Sequence, residues 1–147
     1  GELIGNISEH SSSPLMGFAA LQRYGGRRNH IQTAISDSGL GIVATLTPSL
    51  SEHYPTLHKL QNNEDFELQL VTAVLTEGEI SRFGAGRGLG FKSSREQAIK
   101  FDARLSVRQS DFSIAIEYVD GQIHDIKQHV NLPTIDGTHL CFDFFID

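Results

Sequence analysis

Apolar positions along the chain recur at two periods, one helical and one strand-like. Leu3, Ile4 and Ile7 share one side of a helical wheel, while Glu2, Asn6, Glu9 and His10, spaced three and four apart, share another. That predicts a helix over residues 1–10, broken by Ser11-Ser12-Ser13-Pro14. No capping residue precedes it, so the sequence is expected to be a fragment of a longer protein. Leu15 to Tyr24 reads as a strand, Gly25-Gly26-Arg27-Arg28-Asn29 as a turn, and the alternation of Ile31, Thr33 and Ile35 with Gln32, Ala34 and Ser36 as a second, antiparallel strand. That strand ends at Asp37-Ser38-Gly39-Leu40-Gly41.

Ile42 to Leu60 is weakly helical and interrupted by Pro48 and Pro55. Phe66, Gln69, Leu70, Ala73 and Val74 follow the i, i+3, i+4, i+7, i+8 rule, predicting a firmer helix from about Asp65 to Leu75. Gly78, Gly84, Gly86, Gly88 and Gly90 crowd the stretch 76–90, which predicts a mobile loop. A helix is expected from Leu89 to about Lys100. Beyond it the period falls to two: Leu105 and Val107, then Phe112, Ile114, Ile116 and Tyr118, a turn at Asp120-Gly121, a strand from Ile123 to Val130, and a last strand with Leu140, Phe142, Phe144 and Ile146 on one face. Hairpin spacing dominates this half. The expected fold class is α/β in the α+β sense: a single domain over 1–147, built as a two-layer sandwich with a mixed, mainly antiparallel sheet and helices on one face.

Composition narrows the function more than the fold. Twelve Lys and Arg against 18 Asp and Glu give a formal net charge of −6, which argues against a nucleic-acid partner. Cys141 is the only cysteine, excluding an internal disulfide and any cysteine-rich zinc site. No apolar run approaches the roughly 18 residues of a membrane span, and no basic segment leads into an apolar core as in a signal peptide. The expected setting is cytoplasmic, without membrane contact.

Two glycine clusters carry the candidate chemistry. Gly39-Leu40-Gly41 follows a strand and opens a helix, as in a dinucleotide fingerprint, but the following parallel strand and acidic residue are missing. No Gly-Lys-Ser/Thr element exists, so a Walker P-loop is excluded. The order of features is different: a helix bearing Glu2 and Asn6, then Asp37-Ser38-Gly39-Leu40-Gly41, then Gly86-Arg87-Gly88-Leu89-Gly90, then Gly137-Thr138 opening the final strand. This order resembles the GHKL ATP-binding superfamily, which includes gyrase B subunits, heat-shock chaperone ATPases, histidine kinases and MutL-type repair proteins. The helix resembles its N box, residues 37–41 and 86–90 its two glycine boxes, and Gly137-Thr138 its terminal Gly-Thr element. The resemblance spans residues 2 to about 146. It implies the Bergerat ATP-binding fold, ATP and Mg²⁺ as cofactors, and hydrolysis of ATP or transfer of its γ-phosphate to a protein.

The resemblance also distributes roles, each with a physical rationale. Asp37 would accept the exocyclic amine of adenine in a charge-assisted bond, and Gly39 and Gly41 would let the chain approach the purine. Thr138 would hold a bridging water at the base edge. Asn6 would offer a carbonyl oxygen to Mg²⁺ shared with the phosphates. Gly86, Gly88 and Gly90 would turn N–H groups toward the phosphates, with Leu89 between them and Arg87 adding positive charge. Glu2, one helical turn before Asn6, would serve as general base, and His10, one turn after it, would lie near the phosphates. A phosphoacceptor or protein partner would lie outside this chain. An alternative is a regulatory module that binds ATP without turnover.

Plainer readings stand beside these. Glu2 could be a solvated helix-start carboxylate, Asp37 a cap for the following helix, Gly86–Gly90 a flexible hairpin, and Thr138 an ordinary strand residue. The seven histidines show no metal spacing, and most are expected at the surface. Cys141 is expected as a small buried hydrophobe. Arg23, Arg27 and Arg28 read as a solvated turn.

Overall fold

The protein is described from a computed structural model that covers residues 17–77, 80, 96 and 99–146. Six strands form one sheet: β1 Phe18–Tyr24, β2 His30–Ser36, β3 Ala103–Ser110, β4 Phe112–Val119, β5 Gln122–His129 and β6 Ile135–Phe145. Helices α1 Gly41–Leu46, α2 Leu50–His53, α3 Pro55–His58 and α4 Phe66–Glu77 follow β2, with a 3₁₀ turn at Thr47–Ser49 after α1. The fold is thus α+β. The helices predicted over 1–10 and Leu89–Lys100 and the glycine-rich loop fall wholly or largely outside the described residues; Glu96, Ile99 and Lys100 are helical.

The strand order is β1-β2-β6-β3-β4-β5, and every neighbouring pair is antiparallel. This corrects the expectation of a mixed sheet. β2 and β3 do run in the same direction, but β6 returns between them and pairs antiparallel with both. The parallel relation that a long helical crossover creates is therefore never a hydrogen-bonded pair.

Turn chemistry sets the hairpin registers. Asp120 and Gly121 both take positive φ (50° and 75°) between the paired residues Val119 and Gln122, the geometry a two-residue type I′ turn demands. Ser110, at φ 49°, opens the equally tight turn from Gln109 to Phe112.

One sheet face is apolar and carries the core. Ile35, Leu140, Phe142, Ala103, Leu105, Val107, Phe112, Ile114, Ile116 and Tyr118 are buried there, against Val43 and Leu46 of α1, Leu50 of α2 and the stripe Phe66, Leu70, Val71, Val74 and Leu75 of α4. Each fully buried Leu or Ile stabilises the fold by ~1.5–3 kcal/mol. The α4 stripe is rotated from the predicted one: Val71 and Leu75 are inside, while Gln69 and Ala73 are only half-buried and Gln69 donates to Asp65, the residue just before the helix. The prolines explain the rest of the helical layer, because Pro48 and Pro55 each sit in the first turn of a new short helix.

The opposite face is polar, and two of its features revise the sequence reading. Cys141 lies on this face, between Ala34 and Ser106, half-buried and away from the core. Arg28 is not a solvated turn residue. Its guanidinium sits 3.6 Å from the Phe145 ring centroid, 3.1 Å from the Asp102 carboxylate and 3.5 Å from that of Glu117, joining the β1–β2 turn to β6, to β4 and to the residue that precedes β3. The last strand ends at Phe145, one residue short of the predicted Ile146, whose N–H instead bonds the Asn29 carbonyl.

Candidate functional site

The end of the sheet opposite Arg28 gathers Asp37, Gly39, Gly41 and Thr138. Asp37 follows the last residue of β2, and its N–H donates to the Thr138 carbonyl at 3.0 Å, extending the β2–β6 ladder one step beyond Ser36–His139. The two residues are 101 apart in sequence (138 − 37) and adjacent here. Thr138 is buried, whereas Asp37 and Gly39 are half-buried.

Asp37 does not cap the next helix. Its Oδ1 accepts the Gly39 N–H at 2.7 Å, folding residues 37–39 into an Asx turn. The N-cap of α1 is Leu40, which supplies no side-chain bond. With Oδ1 engaged inside the turn, Oδ2 is the oxygen left to meet a donor from solvent.

Two glycines with φ of +80° shape the surroundings. At Gly137, a Cβ would stand 2.0 Å from the Asp37 carbonyl oxygen and 2.7 Å from the Ser38 Cα, so β6 passes the Asp37–Ser38 backbone where only glycine fits. At Gly41, the start of α1, a Cβ would press on the Gln109 carboxamide at 3.0–3.2 Å.

Sequence reasoning missed Gln109. It ends the inward row Ala103, Leu105, Val107 of β3 and is 5% exposed, one of two buried polar residues, with Thr138, among those described. Its Oε1 accepts the Ile42 N–H at 2.8 Å, supplying from another strand the cap that α1 lacks. The β3–β6 register slips here: Arg108 faces His139 but Ser110 faces Ile135, so Asp136, Gly137 and Thr138 bulge opposite Gln109 alone. The available signal was a carboxamide at an inward position of an otherwise apolar strand.

On the polar face behind this site, Ser36 Oγ lies 2.5 Å from His139 Nδ1, and His139 Nε2 is 3.0 Å from the Asp136 carbonyl. Nε2 therefore donates to that carbonyl while Nδ1 pairs with the Ser36 hydroxyl, clasping β2 to β6 next to the bulge. Arg108 staples the same end, donating to the carbonyls of Gln109, Ser110, Phe112 and Pro133.

Glu2, Asn6, His10, Gly86, Arg87, Gly88, Leu89 and Gly90 lie outside the described residues. Among the described residues, no three His, Cys, Asp or Glu side chains are grouped to hold a metal ion, and no helix is long and apolar enough to cross a membrane. Comparison with models of known protein families, with characterised protein sequences and with solved structures finds no match.

Proposed function

We propose that this chain is an ATP–Mg²⁺-binding domain of the histidine kinase-like ATPase kind, with a Bergerat-type sandwich and a cytoplasmic setting. The observation that carries the reading is the convergence of the Asp37–Gly41 turn and the Gly137–Thr138 bulge, which come from two distant stretches of sequence, on one end of the sheet. An adenine presents a donor amine, and a half-buried carboxylate whose other oxygen is held by its own turn is a directed acceptor for it. Gly137 lets β6 close directly on the Asp37–Ser38 backbone, and the buried Thr138 beside it takes the Asp37 N–H on its carbonyl.

The described residues bear only on the purine end of such a ligand. By resemblance, Gly86, Arg87, Gly88, Leu89 and Gly90 would bind the phosphates, Asn6 would hold Mg²⁺, His10 would lie near the phosphates, and Glu2 would take a proton from the attacking hydroxyl or water. Bound Mg²⁺ would neutralise charge on the phosphates. The γ-phosphate would pass to water or to a side chain of a protein outside this chain. A regulatory module that binds ATP without turnover is the second reading, because the described residues hold none of the candidates for the chemical step.

Calorimetric titration with Mg-ATP and Mg-GTP tests the reading. Asp37 favours ATP, since guanine presents a carbonyl oxygen where adenine presents its amine. Equal affinity for the two, or heat from neither, contradicts it. Incubation with γ-labelled ATP then separates the chemistries: labelled protein marks a kinase, free phosphate an ATPase, and neither a sensor.

A further inference from the structure

We infer that Gln109 is a positioning residue for the nucleotide site, setting the glycine turn between Asp37 and α1 from the far side of a β-bulge; this rests on the ATP-binding reading above. Three observations meet at its carboxamide. It is buried, although an inward position of a strand otherwise selects an apolar residue. Its Oε1 is the acceptor for Ile42 N–H, the second residue of a six-residue helix that has no cap of its own. Its terminal atoms lie 3.0–3.2 Å from where a Gly41 Cβ would stand, closer than ordinary van der Waals contact.

The geometry makes the turn 37–42 a bridge with two footings. At one end the Asp37 N–H is tied to Thr138 and the Asp37 carboxylate to Gly39. At the other, Ile42 is tied to Gln109. Thr138 and Gln109 are neighbours across the bulged β6–β3 ladder, so both footings stand on the same pair of strands. A purine reading Asp37 needs that carboxylate held within a few tenths of an ångström, and releasing the Ile42 footing lets the turn and its glycines drift. Gln109 touches no ligand in this account. It acts through the backbone of Ile42 and Gly41.

The test compares Gln109→Met, which keeps length but removes the acceptor, with Gln109→Glu, which retains an oxygen for the Ile42 N–H. Backbone amide exchange and Mg-ATP affinity are measured on each in the intact chain. The expected result for Gln109→Met is faster exchange confined to Ile42 and its neighbours, with Mg-ATP affinity down about tenfold, the scale of one lost hydrogen bond. Gln109→Glu restores both, whereas a merely structural role would raise exchange across the sheet and show no such rescue. Unchanged Ile42 protection in Gln109→Met overturns the inference, as does lost protection with unchanged affinity. A wild-type chain that binds no nucleotide removes the ATP reading and the positioning role together. A wild-type chain that binds, with Gln109→Met equal to it, overturns the present inference alone.

Discussion

Among the described glycines, Gly137 is the one whose replacement the structure tolerates least. A methyl group there meets backbone atoms of Asp37 and Ser38, which cannot rotate away as a side chain would, and the φ of +80° adds strain of its own. Gly137→Ala is expected to destabilise the fold by at least about 2 kcal/mol, measured by urea unfolding. Gly26→Ala, where nothing lies within 4 Å, serves as the control and should change stability by less than about 0.5 kcal/mol. Cys141 offers a second residue-scale test. Its thiol is pushed from its ordinary 9.0 up to about 11, by burial foremost, then by the Asp143 charge and the hydrogen bond it donates to that carboxylate, with Arg104 pulling the other way. The thiol is therefore protonated at neutral pH, and iodoacetamide at pH 8 should label it roughly tenfold or more slowly in the native than in the urea-unfolded chain. Because the folded state holds this proton more tightly, the contribution to stability is present below the unfolded value and declines as pH rises from 9.0 to about 11. Equal labelling rates would contradict this account of the thiol.

Among the elements, the β1–β2 turn owes its anchoring to one side chain. Arg28→Ala removes a cation–π contact and two half-exposed ion pairs, and is expected to cost about 1–2 kcal/mol in total. Arg27→Ala, on an exposed neighbour in the same turn, should be nearly neutral in the same unfolding assay. That difference was not legible from two adjacent arginines after Gly-Gly, since it depends on Asp102, Glu117 and Phe145, all more than 70 positions away. The strands were legible because alternation at period two survives wherever one face is buried: Leu105 and Val107, or Ile114 and Ile116, leave little choice of register. The α4 stripe was read one step off, because the sequence count favoured Gln69 and Ala73 over Val71 and Leu75 and only the sheet decides which side is inside. In the site, Asp37, Gly41 and Thr138 were readable as a motif. Gln109 was not, because the bulge that brings it to Ile42 is a register slip between strands far apart in sequence.

At the scale of the molecule, the sheet is a one-sided platform. Its apolar face is roofed by short helices, its polar face is pinned by Arg28 at one end and by the Ser36–His139 clasp and Arg108 at the other, and the candidate site crowns the latter end. The central claim is that a purine nucleotide binds where Asp37 and Thr138 meet. Asp37 accepts the Gly39 N–H and in the proposed site would also accept the adenine amine, and an asparagine has only one oxygen for both. The most direct measurement is therefore a two-dimensional amide NMR titration with Mg-ATP on the wild-type chain and on Asp37→Asn. The account predicts saturable shifts at Asp37, Gly39, Ile42 and Thr138 in the wild type, and an affinity weakened by roughly 30-fold or more in Asp37→Asn, the scale of a lost charge-assisted bond. Shifts that bypass these four amides, or an affinity that Asp37→Asn leaves intact, would contradict it.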